Sequence, residues 1–396
     1  MRDRHLAFDV IIIGAGMVGA AAALTLARKG YRIALVERES VDALKAPKLE
    51  QVDLRVSAIS PDSQSMLDRL GVWQEISAHA SAYPYMEVWH QHGSARLHFA
   101  AEQLAVSQLG SIVENRHIQA ALLQHLSYLP NVQIFQQQGI EALTQHEEAV
   151  NIATTQAQKL SAGLLIAADG RTSSVREKLH MTVSSGDYVQ TAIVANVSTE
   201  LPHRQTAYQR FLETGPLALL PLANGQSSIV WSADSPRADA LLQLGDDDFL
   251  DALSEASEYR LGQVTACSER AGFALSWHCA EQWLKQRVLL IGDAAHGVHP
   301  LAGQGVNLGF GDVALLGDLF PGSAQVSLFN HRLLRRFERQ RKSETLGATH
   351  LFTALKKVYG QSSPWLGRLR DSGMNLVENN LMIKRYVLQS AVHNMR

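Results

Sequence analysis

Cysteine is almost absent: Cys267 and Cys279 are the only two in 396 residues. Two thiols cannot build a disulfide framework, and their spacing is not the C-x-x-C of a redox or zinc site. That scarcity fits a reducing compartment and predicts a cytoplasmic protein. Charge is also sparse. Only 19% of residues are Asp, Glu, Lys or Arg, where about a quarter is usual. A net charge of −2 excludes a basic nucleic-acid footprint over the whole protein. Long apolar runs are missing apart from Val10–Ala27. Asp9 at its mouth and the glycines within it count against a signal peptide or membrane span. Repeats and low-complexity tracts are absent, and a hydrophobic content of 46% excludes a disordered chain.

What is present begins with a βαβ unit. Phe8–Ile13 is a short β-branched run of the kind that forms a buried parallel strand. A helical stretch, Val18–Lys29, ends at Gly30, and Tyr31–Val36 reads as the second strand. The segment after Glu37 has no sustained period and reads as a loop. Helical spacing is expected at 61–70 and 111–126, and a hairpin within 83–100. Strands are expected at 132–135 and 163–167. Residues 188–280 read as strand-rich, 288–316 as a further strand–turn–helix, and the chain from about 325 as helical and basic.

Three segments carry chemistry. In Gly14-Ala15-Gly16-Met17-Val18-Gly19 the first glycine permits a tight turn, the second lets a pyrophosphate approach the backbone, and the third lets helix pack on strand. The freed N–H groups of the helix start then bind the diphosphate. Glu37, at the end of the next strand, is placed to hold a ribose diol. The motif itself leaves FAD and NAD both open. The second segment is Asp169-Gly170-Arg171-Thr172-Ser173-Ser174-Val175-Arg176, where Asp169 reads equally well as a helix cap. The third runs from Val288 through Gly292-Asp293 and His296 to Pro300, Gly303, Gln304, Gly305 and Asn307. An acidic side chain there can bind a polyol hydroxyl, and glycines let a flat ring lie on the backbone.

These three fingerprints, in this order, resemble the group A flavoprotein aromatic hydroxylases, over nearly the whole chain. The likeness is closest to the ring hydroxylases of ubiquinone biosynthesis, through Arg55–Ile59, Leu70–Trp73, Met86–Trp89, Ile112–Asn115 and Pro300–Leu308. It implies an α/β fold, with a Rossmann-type FAD-binding domain interleaved with a β-sheet substrate domain, plus C-terminal helices. The implied FAD-binding domain is discontinuous, over 1–80, 110–182 and 281–325. Residues 81–109 and 183–280 would form the substrate domain, and 326–396 the helical region.

By position, the resemblance implies that Gly14, Ala15, Gly16, Met17, Val18 and Gly19 lie on the FAD pyrophosphate. Glu37, followed by Arg38, would hold the adenosine ribose, and Arg55 and Asn115 would reach the diphosphate and ribityl region. Asp169 would belong to a motif shared by FAD and NAD(P)H, while Gly292 and Asp293 would bind the ribityl chain. Pro300, Gly303, Gln304, Gly305, Val306 and Asn307 would line the isoalloxazine, with Pro300, Gly303 and Gln304 nearest the reaction. Two residues depart from the pattern: Ala274 stands where relatives often carry Pro, and Gly297 where Thr is frequent.

The implied activity is hydroxylation of a polyprenylated phenol or quinol by a flavin hydroperoxide, with O2 and NAD(P)H as the expected reductant. An alternative is a flavin-dependent oxidoreductase of the same fold acting on another aromatic or isoprenoid substrate. Such chemistry belongs to the cofactor and needs no nucleophilic side chain, and no Ser/His/Asp constellation is evident. The pairs His90/His92 and His296/His299 lack a third ligand for a metal. His296 and His299 are read as flavin-loop residues, with His296→Ala expected to affect FAD binding or activity less than Asp293→Ala. Trp89, Phe211, Leu219 and Trp231 read as sheet core or as a substrate pocket, and the charge-poor strands 215–222 and 227–232 suggest an apolar channel. Residues 331–396 hold 13 Lys/Arg against 4 Asp/Glu. This basic region, with Lys356 and Lys357 off the apolar face of 349–360, is a candidate dock for the inner face of the membrane or for a biosynthetic protein complex.

Overall fold

The computed structural model describes residues 6–46, 52–297, 305–322, 330–359 and 364–392. Its first sheet is built on the strand Leu6–Ile13, which pairs in parallel with Lys159–Ala167 on one side and Ile33–Val36 on the other. Val132–Phe135 extends the parallel set beyond Ile33–Val36, and Val288–Leu290 extends it beyond Lys159–Ala167. Val10–Ile12, Ile33–Leu35, Leu164–Ala167 and Val288–Leu290 are all fully buried. Such strands are covered on both faces, which is why they read as continuous apolar runs rather than as alternation.

The helix Met17–Arg28 covers this sheet with nine residues buried, among them Ala20–Ala23, whose small side chains permit close approach. It stops at Gly30, whose φ of +88° is the left-handed conformation that terminates helices. The strands Leu6–Ile13, Lys159–Ala167 and Val288–Leu290 are adjacent and parallel. The turns that follow them therefore emerge together at one edge, although they are far apart in the chain.

A second, nine-stranded sheet centres on the long strand Val183–Thr199, flanked by Ala271–Ala280 and Ser227–Asp234. Gly215–Pro221, Thr206–Leu212, Tyr85–His90 and Arg96–Ala100 continue it. Alternation along Gly215–Pro221 sends Leu217 and Leu219 into one core with Trp89, Trp231 and Phe249. Ala218 and Leu220 go into another with Phe99, Met374 and Leu388. The strands that suggested an apolar channel are thus apolar because both faces are buried. Trp89, Leu219 and Trp231 are core residues, and Phe211 packs partly buried against the other core. A small third sheet joins Val56–Ile59, Gly110–Glu114 and Ser81–Tyr83.

Some elements differ from expectation. Residues 111–114 are strand, drawn into pairing with Val56–Ile59, and the helix begins only at Asn115. Two helices, Ser235–Gln243 and Asp246–Ala256, interrupt the strand-rich stretch and cover one face of the large sheet through Ala238, Leu241, Phe249 and Leu253. Residues 41–45 form a short helix capped by Ser40. No described helix is long and apolar enough to cross a membrane.

Candidate functional site

The first turn is shaped by contacts that only glycine allows. Gly14 has φ +98°, and a Cβ there would run into the carbonyl of Ala168; one on Gly19 would run into the carbonyl of Gly14. Gly16 sits at the N-cap of Met17–Arg28, with no side-chain cap and no acidic residue in the first turn. A Cβ on Gly16 would meet nothing within 4 Å. The uncapped N–H groups therefore face an open cradle, as an anion site requires.

Glu37 lies beside this turn. Its Oε2 accepts from the Ala15 N–H at 2.5 Å and its Oε1 from the Glu39 N–H at 3.0 Å. Gln119 braces the same turn by donating to the Ala15 carbonyl at 2.9 Å. Arg38 and Arg55 are exposed. The Arg55 carbonyl accepts from the Asn115 N–H at 2.9 Å, which brings these two distant residues together. The Asn115 Oδ1 accepts from Ser57 Oγ at 2.7 Å.

Asp169 does two things. Its Oδ2 caps the helix Ser174–Lys178, accepting from Ser174 Oγ at 3.1 Å and the Val175 N–H at 3.2 Å. Its Oδ1 is buried without a hydrogen-bond partner. Native structures seldom leave such an atom unpaired, and a bound polar ligand would satisfy it. The capping reading and the cofactor reading thus fall on different oxygens of one carboxylate. Arg176 links this segment to the third, donating to the Ala294 carbonyl at 2.6 Å. Arg171 donates to the Ser276 carbonyl at 3.1 Å.

In the third segment Gly292 has φ +54°. The Asp293 carboxylate is exposed, while its backbone carbonyl accepts from His278 Nε2 at 2.8 Å. Val18 joins the first and third motifs: a Cβ on Gly292 would lie 3.1 Å from Val18 Cγ1, and one on Gly309 would collide with Val18 Cγ2. Gly305 and Val306 open the helix Gly305–Leu319. Asn307 is buried, with its Oδ1 accepting from the Ser60 N–H at 3.1 Å and its Nδ2 donating to the Ala58 carbonyl at 2.8 Å. That amide anchors the helix to the segment 58–60. Pro300, Gly303, Gln304 and His299 lie outside the described residues.

An open glycine cradle, an orphaned buried carboxylate oxygen and an exposed carboxylate, held at one sheet edge, fit a dinucleotide such as FAD. The family model described as FAD binding domain matches residues 7–328. The chain belongs to this FAD-binding family. It is an FAD-dependent monooxygenase. The ubiquinone hydroxylase UbiL of Rhodospirillum rubrum is 32% identical, over 98% of this chain and 90% of its own length. The 3-demethoxyubiquinol 3-hydroxylase of Escherichia coli is 32% identical, over 97% and 98% respectively. Among solved structures, the p-nitrophenol 4-monooxygenase PnpA of Pseudomonas putida shares the fold, with a TM-score of 0.78 at 21% identity over 99% of this chain and 100% of that one.

Several residues packed behind these turns escaped the sequence reading. Asp312 is fully buried and accepts from the Gly292 N–H and from His296 Nε2, both at 2.8 Å. Its one visible signal was an acid in the middle of a largely apolar helix. Arg341 carried none, standing in a run of basic residues. His90 and His92, weighed as metal ligands, bond Asp371 and Glu213. No metal-binding group of three is found among the described residues.

Proposed function

We propose that this protein hydroxylates the ring of a polyprenylated phenol or quinol in ubiquinone biosynthesis, with O2 and NAD(P)H as co-substrates. The observation that carries the reading is the full-length likeness to two ring hydroxylases of that class, joined to a site in which all three fingerprints meet at one sheet edge. FAD, when bound, supplies the oxygen-transfer chemistry. The chain's own residues would bind and orient it. The cradle at Gly14–Gly19 would take the pyrophosphate, Glu37 the ribose, and Asp293 the ribityl chain, with Asp169 Oδ1 offering a further acceptor. Arg55 and Asn115 would flank the diphosphate, and Pro300, Gly303, Gln304, Gly305 and Val306 would shape the reacting end.

We assign 1–80, 110–182 and 281–325 to the cofactor domain and 81–109 with 183–280 to substrate enclosure. Arg210, which pairs with Leu217 from the neighbouring strand, donates to the carbonyls of Glu255 and Ala256 at 3.2 and 2.8 Å and to Glu258 at 3.0 Å. It caps a helix and is not poised to clamp a substrate carboxylate, in keeping with an uncharged substrate. Peripheral attachment to the membrane through the C-terminal helices follows from the same substrate class, supported by exposed Leu376, Leu381, Met382 and Tyr386.

The deciding experiment deletes the gene and identifies the quinone precursor that accumulates, then restores the parent protein or its Asp293→Ala variant. A prenylated phenol or quinol should accumulate and be consumed only when the parent returns. No such accumulation, or equal rescue by both proteins, would overturn the reading.

A further inference from the structure

The buried carboxylate of Asp312 ties three parts of the molecule together. Its Oδ2 takes the Gly292 N–H and His296 Nε2, both at 2.8 Å, and its Oδ1 takes Arg341 Nε at 2.7 Å. Arg341 belongs to the C-terminal helix His331–Tyr359 and also donates to the Leu308 carbonyl at 2.8 Å and to Glu344. Its guanidinium is seated against Gly311, where a Cβ would lie 2.8 Å from Nη2. The same helix grips the far side of the flavin turn. Glu338 accepts from the Trp283 N–H at 2.7 Å, and the Trp283 ring stacks on His296 with centroids 4.8 Å apart and planes 20° from parallel.

Burial alone would raise the Asp312 pKa, yet His296 and Arg341 outweigh it and hold the carboxyl below its ordinary range. An ionised, fully buried carboxylate is costly unless its partners are fixed. Through its two oxygens the carboxylate links Arg341 to the Gly292 amide.

We propose that Asp312, held by Arg341, is a positioning residue through which the C-terminal helix sets the Gly292–Asp293 turn and so the grip on FAD. This rests on the cofactor site assigned above. Asp312 and Arg341 act through the turn and need not touch the cofactor themselves.

The test uses full-length apoprotein titrated with FAD, followed by flavin fluorescence and by the visible spectrum of the bound cofactor. The double variant Asp312→Asn/Arg341→Met removes both fully buried charges together, and the partly exposed Glu344 keeps its bond from Gln340. It should fold, with circular dichroism and apoprotein melting close to the parent. It should bind FAD at least tenfold more weakly and with a shifted visible spectrum. Arg341→Lys, which restores charge but not the contact to Leu308, should recover part of the affinity. Arg336→Gln, an exposed position on the same helix, should match the parent. If the double variant does not fold, Asp312→Asn alone carries the same two expectations.

A folded variant whose FAD affinity and spectrum equal the parent's would overturn the joint. Failure of the underlying site looks different. In that case the parent itself would take up no FAD, or Asp293→Ala would leave its binding unchanged.

Discussion

The ring of His278 fills the space that a side chain at Gly297 would occupy, with Nδ1 only 2.6 Å from the position of a Cβ built there. The two residues face each other across the pairing of Ala271–Ala280 with His296–Gly297. Thr, frequent at this position in the family resemblance, does not fit beside this histidine. Gly297→Thr should therefore destabilise the protein by about 1–3 kcal/mol through overpacking. The double variant Gly297→Thr/His278→Ala should regain much of that loss. Thermal melting of the four proteins of this cycle decides the matter, and additive effects would contradict a direct clash.

His278 also bears on pH. Burial lowers its pKa below the imidazole value of 6.5, partly offset by its bond to the Asp293 carbonyl, and the Arg171 and Arg176 charges lower it further. Burial lowers His203 as well, and burial together with stacked His79 lowers His117. Each histidine takes up its proton more readily unfolded than folded. The stability they contribute is complete above the unfolded pKa of about 6.5. It is lost as the pH falls below that value toward their folded pKa values. Urea midpoints between about pH 7.5 and 5.5 should fall on acidification, and His278→Gln should show a shallower fall.

Glu37 accepts the Ala15 N–H, and its proposed second role is to hold the adenosine ribose. Its removal should loosen the glycine turn and cost a charged hydrogen bond. Glu37→Ala is expected to weaken FAD binding by about 10- to 150-fold, and Glu37→Gln by less. Isothermal titration of apoprotein measures both, and equal affinities for the two variants would deny the carboxylate its role.

The two residues of the third motif should separate cleanly. Asp293 is exposed, so Asp293→Ala should keep the melting temperature while losing FAD. His296 is buried, stacked on Trp283 and bonded to Asp312. His296→Ala should consequently destabilise the fold by about 2–3 kcal/mol. Melting curves of the two apoproteins would expose an error if their order were reversed.

Membrane docking is checked by co-sedimentation with anionic liposomes at low and high salt. Binding that falls with salt and is abolished in Lys356/Lys357→Glu would support electrostatic attachment, since each basic residue contributes about 1 kcal/mol and is screened. Equal binding of both proteins at every salt concentration would leave attachment to the exposed apolar side chains Leu381, Met382 and Tyr386.

The parallel core was legible because buried strands and glycine turns impose strong local patterns: the runs at 8–13 and 163–167 and the turn at Gly14–Gly19 stand where they were expected. The strand at 111–114 was not, because its pairing with 56–59 is a tertiary choice that overrides helical spacing. Asp169 was legible as a helix cap, but not that only one of its two oxygens does the capping. Asp312 and Arg341 were invisible for a similar reason. A buried ion pair is defined by where two side chains meet, and these two are separated by 29 positions on different helices.

The Asn307 amide, which clasps the backbone of a segment 249 positions earlier, fixes an order of events during synthesis. Strand Val56–Ile59 can pair locally as soon as Gly110–Glu114 has emerged, but its final clasp waits for the helix Gly305–Leu319. Contacts of such long sequence separation form late, because their loop must close before any bonding energy is returned. Any shortened product ending before Asn307 therefore lacks the clasp between the helix Gly305–Leu319 and the segment 58–60.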